Sequence, residues 1–419
     1  MSGTAPSSSW QAAAGETNGR ALRVARAAAI GVAAGALITP PLGNAAAAVL
    51  LIAFFFVPDW RERLRRTAGS RVALGAGLFF AALVFATIVG ASGPQGAASA
   101  LRHLLGWRTL LVLLIAFAIF DSERAKRRLM VAFIVLACVG GLVSLGALAA
   151  GVTIRDFEPG VVLRNTVTQA MAFGVAAFFA LILLATQSDL SRPQRVLLGL
   201  AAALMVGLLL FLQVGRSGQA MFVVLLLVAA LRVLRGPRRA IAVAAVPVLA
   251  GLAFAVSPVM QSRFAQAWTE AINAADATEY TSMGIRVVMW RNSVELVRAR
   301  PLMGYGLGGV RPAYATLIAK QGASGWKATV TDDPHNQFLN VWLEGGVVLL
   351  IAFLFFLACI ATQPAPEPWR SVAIALLAAW CATSMASSHF ATFNEGHLIM
   401  LFVGAMLAPP RQAGPAANG

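Results

Sequence analysis

The sequence predicts an all-α, polytopic membrane protein with about twelve transmembrane helices. Three observations carry that prediction. Of the 419 residues, 59% are hydrophobic and only 12% are charged, whereas a soluble domain carries about 25% charged residues. Mean hydropathy is +0.76. The apolar residues also come in runs close to the roughly 20 residues that a spanning helix needs. Net charge is +16, which by itself would fit a nucleic-acid partner. The basic residues, however, form short clusters between apolar runs and no single face or stripe. They point to the lipid bilayer, with no nucleic acid expected.

Residues 1–19 are rich in Ser, Ala and Gly and read as a disordered, cytoplasmic N-terminus. Arg20, Arg23 and Arg26 then precede an apolar run, like the charged region of a signal peptide. That run ends at Pro40-Pro41 without a small-residue cleavage site, so it reads as an uncleaved first helix. The spans fall near 22–39, 43–57, 72–91, 108–121, 129–151, 166–186, 196–214, 219–233, 240–258, 346–362, 371–388 and 397–409. Cys138, Cys359 and Cys381 all lie in apolar runs, which argues against a disulfide framework, and no Cys/His spacing suits a metal.

Charge orients the spans. With the N-terminus in the cytoplasm, alternate loops carry Arg61 to Arg71, then Arg124 to Arg128, then Arg192 and Arg195, then Arg232 to Arg239. These are the inner loops of the positive-inside rule. The even count returns the C-terminal tail, 410–419, to the cytoplasm. Residues 20–258 then hold the first nine helices and 346–409 the last three. Between them, 259–345 forms the one large extramembrane loop, on the outer side. Within it, Ile285, Val288, Met289, Leu296 and Val297 follow helical spacing up to Pro301. The loop therefore reads as two amphipathic helices on the membrane–water boundary, joined through the turn-rich Met303 to Gly309. That glycine run follows no strand, so it is not a nucleotide-binding loop.

Chemistry concentrates on the outer side. Asp332-Asp333-Pro334-His335-Asn336 runs directly into a long apolar helix, and ionisable groups at a bilayer are costly and usually functional. A bland alternative is a His that merely caps the helix. Arg216 lies in a tight turn, Gly215-Arg216-Ser217-Gly218, where it either snorkels or presents its planar fork to phosphate. Arg286 and Arg291 flank Trp290, where they either meet lipid headgroups or bind a ligand. Arg164 stands beside Asn165 in a short loop. Several arginines with one His, and no metal-binding carboxylate pair, suit glycosyl transfer from a lipid diphosphate. The guanidiniums stabilise the leaving diphosphate, and a neutral His takes a proton from a hydroxyl nucleophile.

Three blocks resemble the O-antigen ligase and polymerase superfamily of bacterial envelope enzymes. They are Gly215 to Ala220, Arg286 to Trp290 with Arg300 to Gly306, and Asp333 to Asn336 leading into Glu344-Gly345-Gly346. The family's His-Asn motif, with a Gly after nine intervening residues, falls on His335, Asn336 and Gly346. The family prefers a small or polar residue three positions on, where this chain has Leu349. The resemblance implies a GT-C-like membrane fold and a periplasmic active site in the inner membrane. It implies transfer of O-antigen from undecaprenyl diphosphate to a lipid A-core sugar, with no metal or cofactor. His335 would be the base, Arg216, Arg286, Arg291 and Arg164 would bind the diphosphate, and Asn336 and Ser217 would support them. Protein-glycosylating relatives usually carry a sizeable C-terminal periplasmic domain, and this chain ends soon after its last span. The nearest rival activity is the O-antigen polymerase. A transporter or flippase fits less well, because no half-to-half repeat and no buried charges for proton coupling stand out.

Overall fold

The computed structural model describes residues 8–155, 159–212, 216–273 and 280–410, with side chains from Gly19 onward but not at Arg216, Val259, Met260, Arg263 or Ala271. Among the described residues the fold is all-helical, 79% helix with no strand. Of the expected terminal segments, 1–19 and 410–419, residues 1–7 and 411–419 lie outside the described residues, as does Gly215.

The membrane-embedded helices begin with a hairpin of α1 (Ser8–Ile38) and α2 (Pro40–Phe55). Pro40-Pro41, read from sequence as an end, also opens the second helix. Proline is tolerated in a first helical turn, where its missing N–H has no intrahelical partner. α3 (Trp60–Ala68) bends 106° away from α2. Then follow α4 (Arg71–Ala91), α5 (Gly96–Gly106), α6 (Thr109–Ile119), α7 (Glu123–Ala149), α8 (Thr166–Thr186), α9 (Arg192–Phe211), α10 (Arg216–Val233) and α11 (Gly236–Val256). The long connection carries α12 (Pro258–Ile272), α13 (Ser282–Ala299), α14 (Val310–Gln321) and a 3₁₀ turn at Gly325–Ala328. It thus holds three α-helices where two are expected. α14 carries a buried stripe, Val310, Ala313, Tyr314, Leu317 and Ile318, at helical spacing, but it is only 12 residues long and holds Pro312 in its first turn. The chain closes with α15 (Gln337–Thr362), α16 (Trp369–Thr383) and α17 (Phe393–Leu407).

Each of the twelve expected spans coincides with a helix. By length and apolarity, eight helical segments among the described residues can cross a membrane: 19–38, 71–91, 96–119, 123–149, 166–186, 192–211, 236–256 and 337–362. The bent α2–α3 pair would make a ninth, and α10, α16 and α17 are apolar but shorter. The multi-pass membrane architecture follows from this pattern. The polar residues Arg102 and His103 hid the start of the fourth span, which begins at Gly96 and not near 108.

The two ends of the bundle differ chemically. At one end, Arg26 and Arg63 share the carboxylate of Asp121 at 2.6 and 2.8 Å. There, too, Arg127 pairs with Asp189 at 2.6 Å, and Lys126 Nζ donates to the last carbonyls of α17, Met406 at 2.9 Å and Ala408 at 2.7 Å. The expected inner-loop arginines gather at this end. At the other end lie the starts of α8, α15 and α17. Thr168 and Glu395 link α8 to α17 by a 2.5 Å hydrogen bond, and Gln337 N–H donates to Ser384 O at 2.9 Å. Packed rings fill the space between: Phe79, Trp107, Phe353 and Phe356 form one group, and Phe133, Phe179 and Phe402 another.

α15 is not continuous. Gly345 (φ −137°, ψ 17°) and Gly346 (φ 65°, ψ −165°) break it two turns from its start. The freed backbone groups find partners in the loop. Tyr305 N–H donates to Leu343 O at 2.8 Å, and Val347 N–H donates to Pro301 O at 2.9 Å. Trp342 Nε1 adds a 3.0 Å bond to the same Pro301 carbonyl. A Cβ on Gly346 would land on the Leu302 carbonyl, and one on Gly304 (φ 62°) on that of Leu343. The segment Pro301 to Gly306 is therefore a docking seam that ties the long loop to the bundle.

This seam predicts a specific sensitivity. Gly346→Ala should lower the Tm of the purified protein, because the left-handed conformation alone costs about 1–3 kcal/mol and the clash adds to it. Gly77→Ala, on an open helix face with no atom within 4 Å of the new methyl group, should leave Tm unchanged or raise it. Equal Tm values for the two variants would contradict the seam.

Candidate functional site

The start of α15 answers the question of what caps the helix. Asn336 Oδ1 accepts from Phe338 N–H and Leu339 N–H, both at 3.1 Å. The cap is thus Asn336 and not His335. The other side of the same amide donates to Met385 O at 2.9 Å. Asn336 fixes the helix start and the neighbouring turn, and its hydrogen bonds among the described residues go to Phe338, Leu339 and Met385 and not to the His335 ring.

His335 stands immediately before this cap with φ 54°, the one described non-glycine residue with positive φ. A left-handed histidine holds strain of about 1–3 kcal/mol, which persists only when its surroundings impose it. Here Asp333 imposes it. Asp333 Oδ1 accepts the His335 N–H at 2.8 Å and the Ser388 hydroxyl at 2.6 Å. One carboxylate oxygen therefore joins the histidine's backbone to the turn between α16 and α17. Pro334, which is buried, limits the freedom of Asp333.

That turn, residues 384–392, is clamped along its length. Besides the bonds to Ser384, Met385 and Ser388, Gln337 Oε1 accepts from Phe390 N–H at 3.0 Å and Ala391 N–H at 3.1 Å. The turn carries His389, only 1% exposed, with neither ring nitrogen hydrogen-bonded among the described residues. Burial lowers the pKa of His389, against the opposing pull of Glu395 and Asp333. The ring is therefore neutral near pH 7. His335 and Arg286 both act on it electrostatically, so the structure gathers His335, Asp333, His389 and Arg286 at one place.

The expected arginines are placed unequally. Arg286 donates from Nη1 to Ser282 O and Oγ, both at 2.8 Å, which holds its guanidinium along the first turn of α13. Arg291 lies about 140° further round the helix, at 3.6 residues per turn. It is exposed and lines a surface groove with Trp290, Val294 and Arg298. Arg164 donates its N–H to Leu37 O at 2.7 Å and keeps a buried Nε without a partner among the described residues. The next residue, Asn165, caps α8 by accepting from Thr168 N–H at 2.7 Å. Arg216 and Ser217 open α10, whose Gly218 packs against Ala170 of α8. This brings the first turn of α10 to the same bundle end. The side chain of Arg216 lies outside the described residues.

A second acidic group lies beneath. His103 Nε2 is 3.7 Å from Asp332 Oδ2, and this partner holds the Asp332 carboxyl below its ordinary range. The two adjacent aspartates thus point to different partners, Asp332 to α5 and Asp333 to the 384–392 turn. Asn336, Asn340 and Glu344 form a buried polar stripe down α15, and Asn340 Oδ1 and Glu344 Oε2 have no hydrogen-bond partner among the described residues.

Sequence reasoning singled out His335, Arg286 and Arg164 but not Ser388 or the clamp. The signal for the latter was the density of Ser, His, Thr, Asn and Glu between Ser387 and Glu395, in a short connection between two apolar helices. Its pairing with Asp333 spans 55 residues, which no local periodicity encodes. The imposed conformation can be tested without any activity assay. His335→Gly should be more stable than His335→Ala by about 1 kcal/mol, because glycine accepts positive φ freely. Equal unfolding free energies would show that the backbone at 335 is not held left-handed.

Residues 200–354 match the family described as O-antigen ligase. The matched stretch contains α10 to α14 and the start and break of α15, and so holds Arg216, Arg286, Asp333 and His335. No protein of curated function matched the sequence. The resemblance drawn from the three motif blocks is thus supported by a family match over residues 200–354.

Proposed function

We infer that the chain has glycosyltransferase-like activity of the O-antigen ligase/polymerase type in a multi-pass membrane protein, a reading that the family match supports. We propose that the chain transfers O-antigen polysaccharide from undecaprenyl diphosphate to a lipid A-core sugar. The observation that carries this reading is His335, held left-handed by Asp333, with Arg286 acting on the same buried His389, at the bundle end opposite the arginine clusters. By the positive-inside rule that end is periplasmic, in the bacterial inner membrane, and both termini are cytoplasmic.

The proposed roles follow from the chemistry of each group. His335 takes the proton of the acceptor hydroxyl while that oxygen attacks the anomeric carbon of the donor. The bond from that carbon to the diphosphate breaks on the opposite face, and the diphosphate leaves with the electron pair. The linkage is thereby inverted. Arg286, Arg216 and Arg164 bear the developing negative charge, in the role that a metal plays in other transferases. Arg291, in its groove on the outer face of α13, guides the same anionic group. Asn336 fixes the helix start under His335, and Ser217 extends the polar first turn of α10. The catalytic unit is the 259–345 loop docked on the helices before and after it.

Two sets of measurements test the reading. Arg286→Ala and Arg216→Ala should each slow transfer roughly 10²–10³-fold, with only partial rescue by Lys, which lacks the bidentate fork. His335→Ala should keep donor binding and lose roughly 10²–10⁴-fold in transfer. Its pH–rate profile should also lose the acidic limb, where the wild-type base is protonated. Normal single-turnover transfer by His335→Ala with weakened donor binding would make the residue a diphosphate ligand instead. Separately, turnover should survive EDTA, and a magnesium-reversible loss would contradict the arginine clamp. In cells, a null mutant should make lipid A-core without O-antigen and retain the lipid-linked polymer. A single added repeat would instead identify a polymerase.

A further inference from the structure

The end of the bundle away from His335 carries a cavity that the transfer chemistry does not use. It lies between the middle of α1 and the start of α7, and four arginines line it: Arg23 and Arg26 from α1, Arg124 and Arg128 from α7. Ile30 and Phe120 contribute apolar lining. Four guanidiniums here face one nearby carboxylate, Asp121. That carboxylate is already divided, with Oδ1 taking Arg26 at 2.6 Å and Oδ2 taking Arg63 at 2.8 Å. Glu123 pairs with Arg127 instead. Among the described residues no salt bridge is formed by Arg23, Arg124 or Arg128. The site is thus a pocket of uncompensated positive charge at the mouth of two spanning helices.

Below it, α7 continues the same face in apolar form. Arg124 and Arg128 are followed at helical spacing by Val131, Val135, Val139 and Leu142, which are 44%, 55%, 56% and 59% exposed. A strongly basic head above an exposed hydrocarbon stripe matches one kind of molecule, an amphiphile with an anionic headgroup. Basic pockets between transmembrane helices hold such headgroups through charge-assisted bonds to phosphate oxygens. We propose that this cavity is a binding site for an anionic glycerophospholipid, with a preference for a headgroup bearing two phosphates. The phosphates sit among Arg23, Arg26, Arg124 and Arg128, and an acyl chain lies along Val131 to Leu142. This proposal is independent of the transfer reaction, and its test requires no transfer assay.

The probes are cardiolipin, phosphatidylcholine and inorganic phosphate, each added to purified full-length protein in detergent. Retention is read by native mass spectrometry and stabilisation by Tm. Cardiolipin should be retained and should raise Tm, while phosphatidylcholine should do neither. Millimolar inorganic phosphate should not reproduce the shift, since it lacks the chains. The double variant Arg124→Gln/Arg128→Gln should bind cardiolipin about 30-fold more weakly, about fivefold for each arginine. Arg192→Gln, an exposed arginine at the same bundle end but outside the cavity, should bind as the wild type does. Three results would each overturn the proposal. These are equal cardiolipin binding by the double variant and the wild type, an equal loss in Arg192→Gln, and full reproduction of the effect by inorganic phosphate.

Discussion

A helix broken within a bilayer exposes backbone donors and acceptors that lipid cannot satisfy, at several kcal/mol each. The break in α15 at Gly345-Gly346 sets this constraint, and much of the molecule around the site is arranged to meet it. Leu343 O and Val347 N–H are answered by Tyr305 N–H and Pro301 O. Those residues follow α13 directly, so meeting the constraint pins the end of α13 against the membrane helices. Tyr305 Oη then bonds Leu296 O at 3.0 Å, and Tyr314 Oη bonds Met289 O at 2.8 Å. Burial pushes the Tyr314 phenol up to about 12, so it stays a neutral donor. Through this chain of contacts, a backbone requirement in the bilayer fixes the helix that carries Arg286.

The same economy explains the contrast between the two bundle ends. At the basic end, charges are matched in pairs or left facing the membrane boundary. At the other end, polar groups are tightly interlocked around a strained histidine. Backbone strain is destabilising, and it is kept where a site must be held ready for a ligand. Asp333 is central there because one oxygen serves two donors from distant parts of the chain. It holds the His335 backbone directly, and it anchors the turn that buries His389.

The membrane character and the helix positions were legible in the sequence. Apolar runs, arginine-rich loops and the His-Asn step into a helix are local patterns, and local patterns survive in one dimension. The features that escaped are non-local or irregular. The start of α5 was masked by Arg102 and His103, and α14 is a short helix with Pro312 in its first turn. The Ser388–Asp333 bond joins residues far apart in sequence. The role of Asn336 was legible only in part: it does stand beside His335, but its amide serves the helix cap and Met385. Likewise Arg286 and Arg291 look equivalent around Trp290 in sequence, while helical geometry turns them to different faces.

The most direct measurement is a structure of the protein with undecaprenyl diphosphate bound. The account predicts the diphosphate within hydrogen-bonding distance of Arg286 and Arg216. The His335 imidazole should then lie on the opposite side of the position taken by the donor's anomeric carbon. Diphosphate bound in the Arg291 groove alone, or at the arginine-rich end near Arg124, with His335 remote from it, would contradict the account.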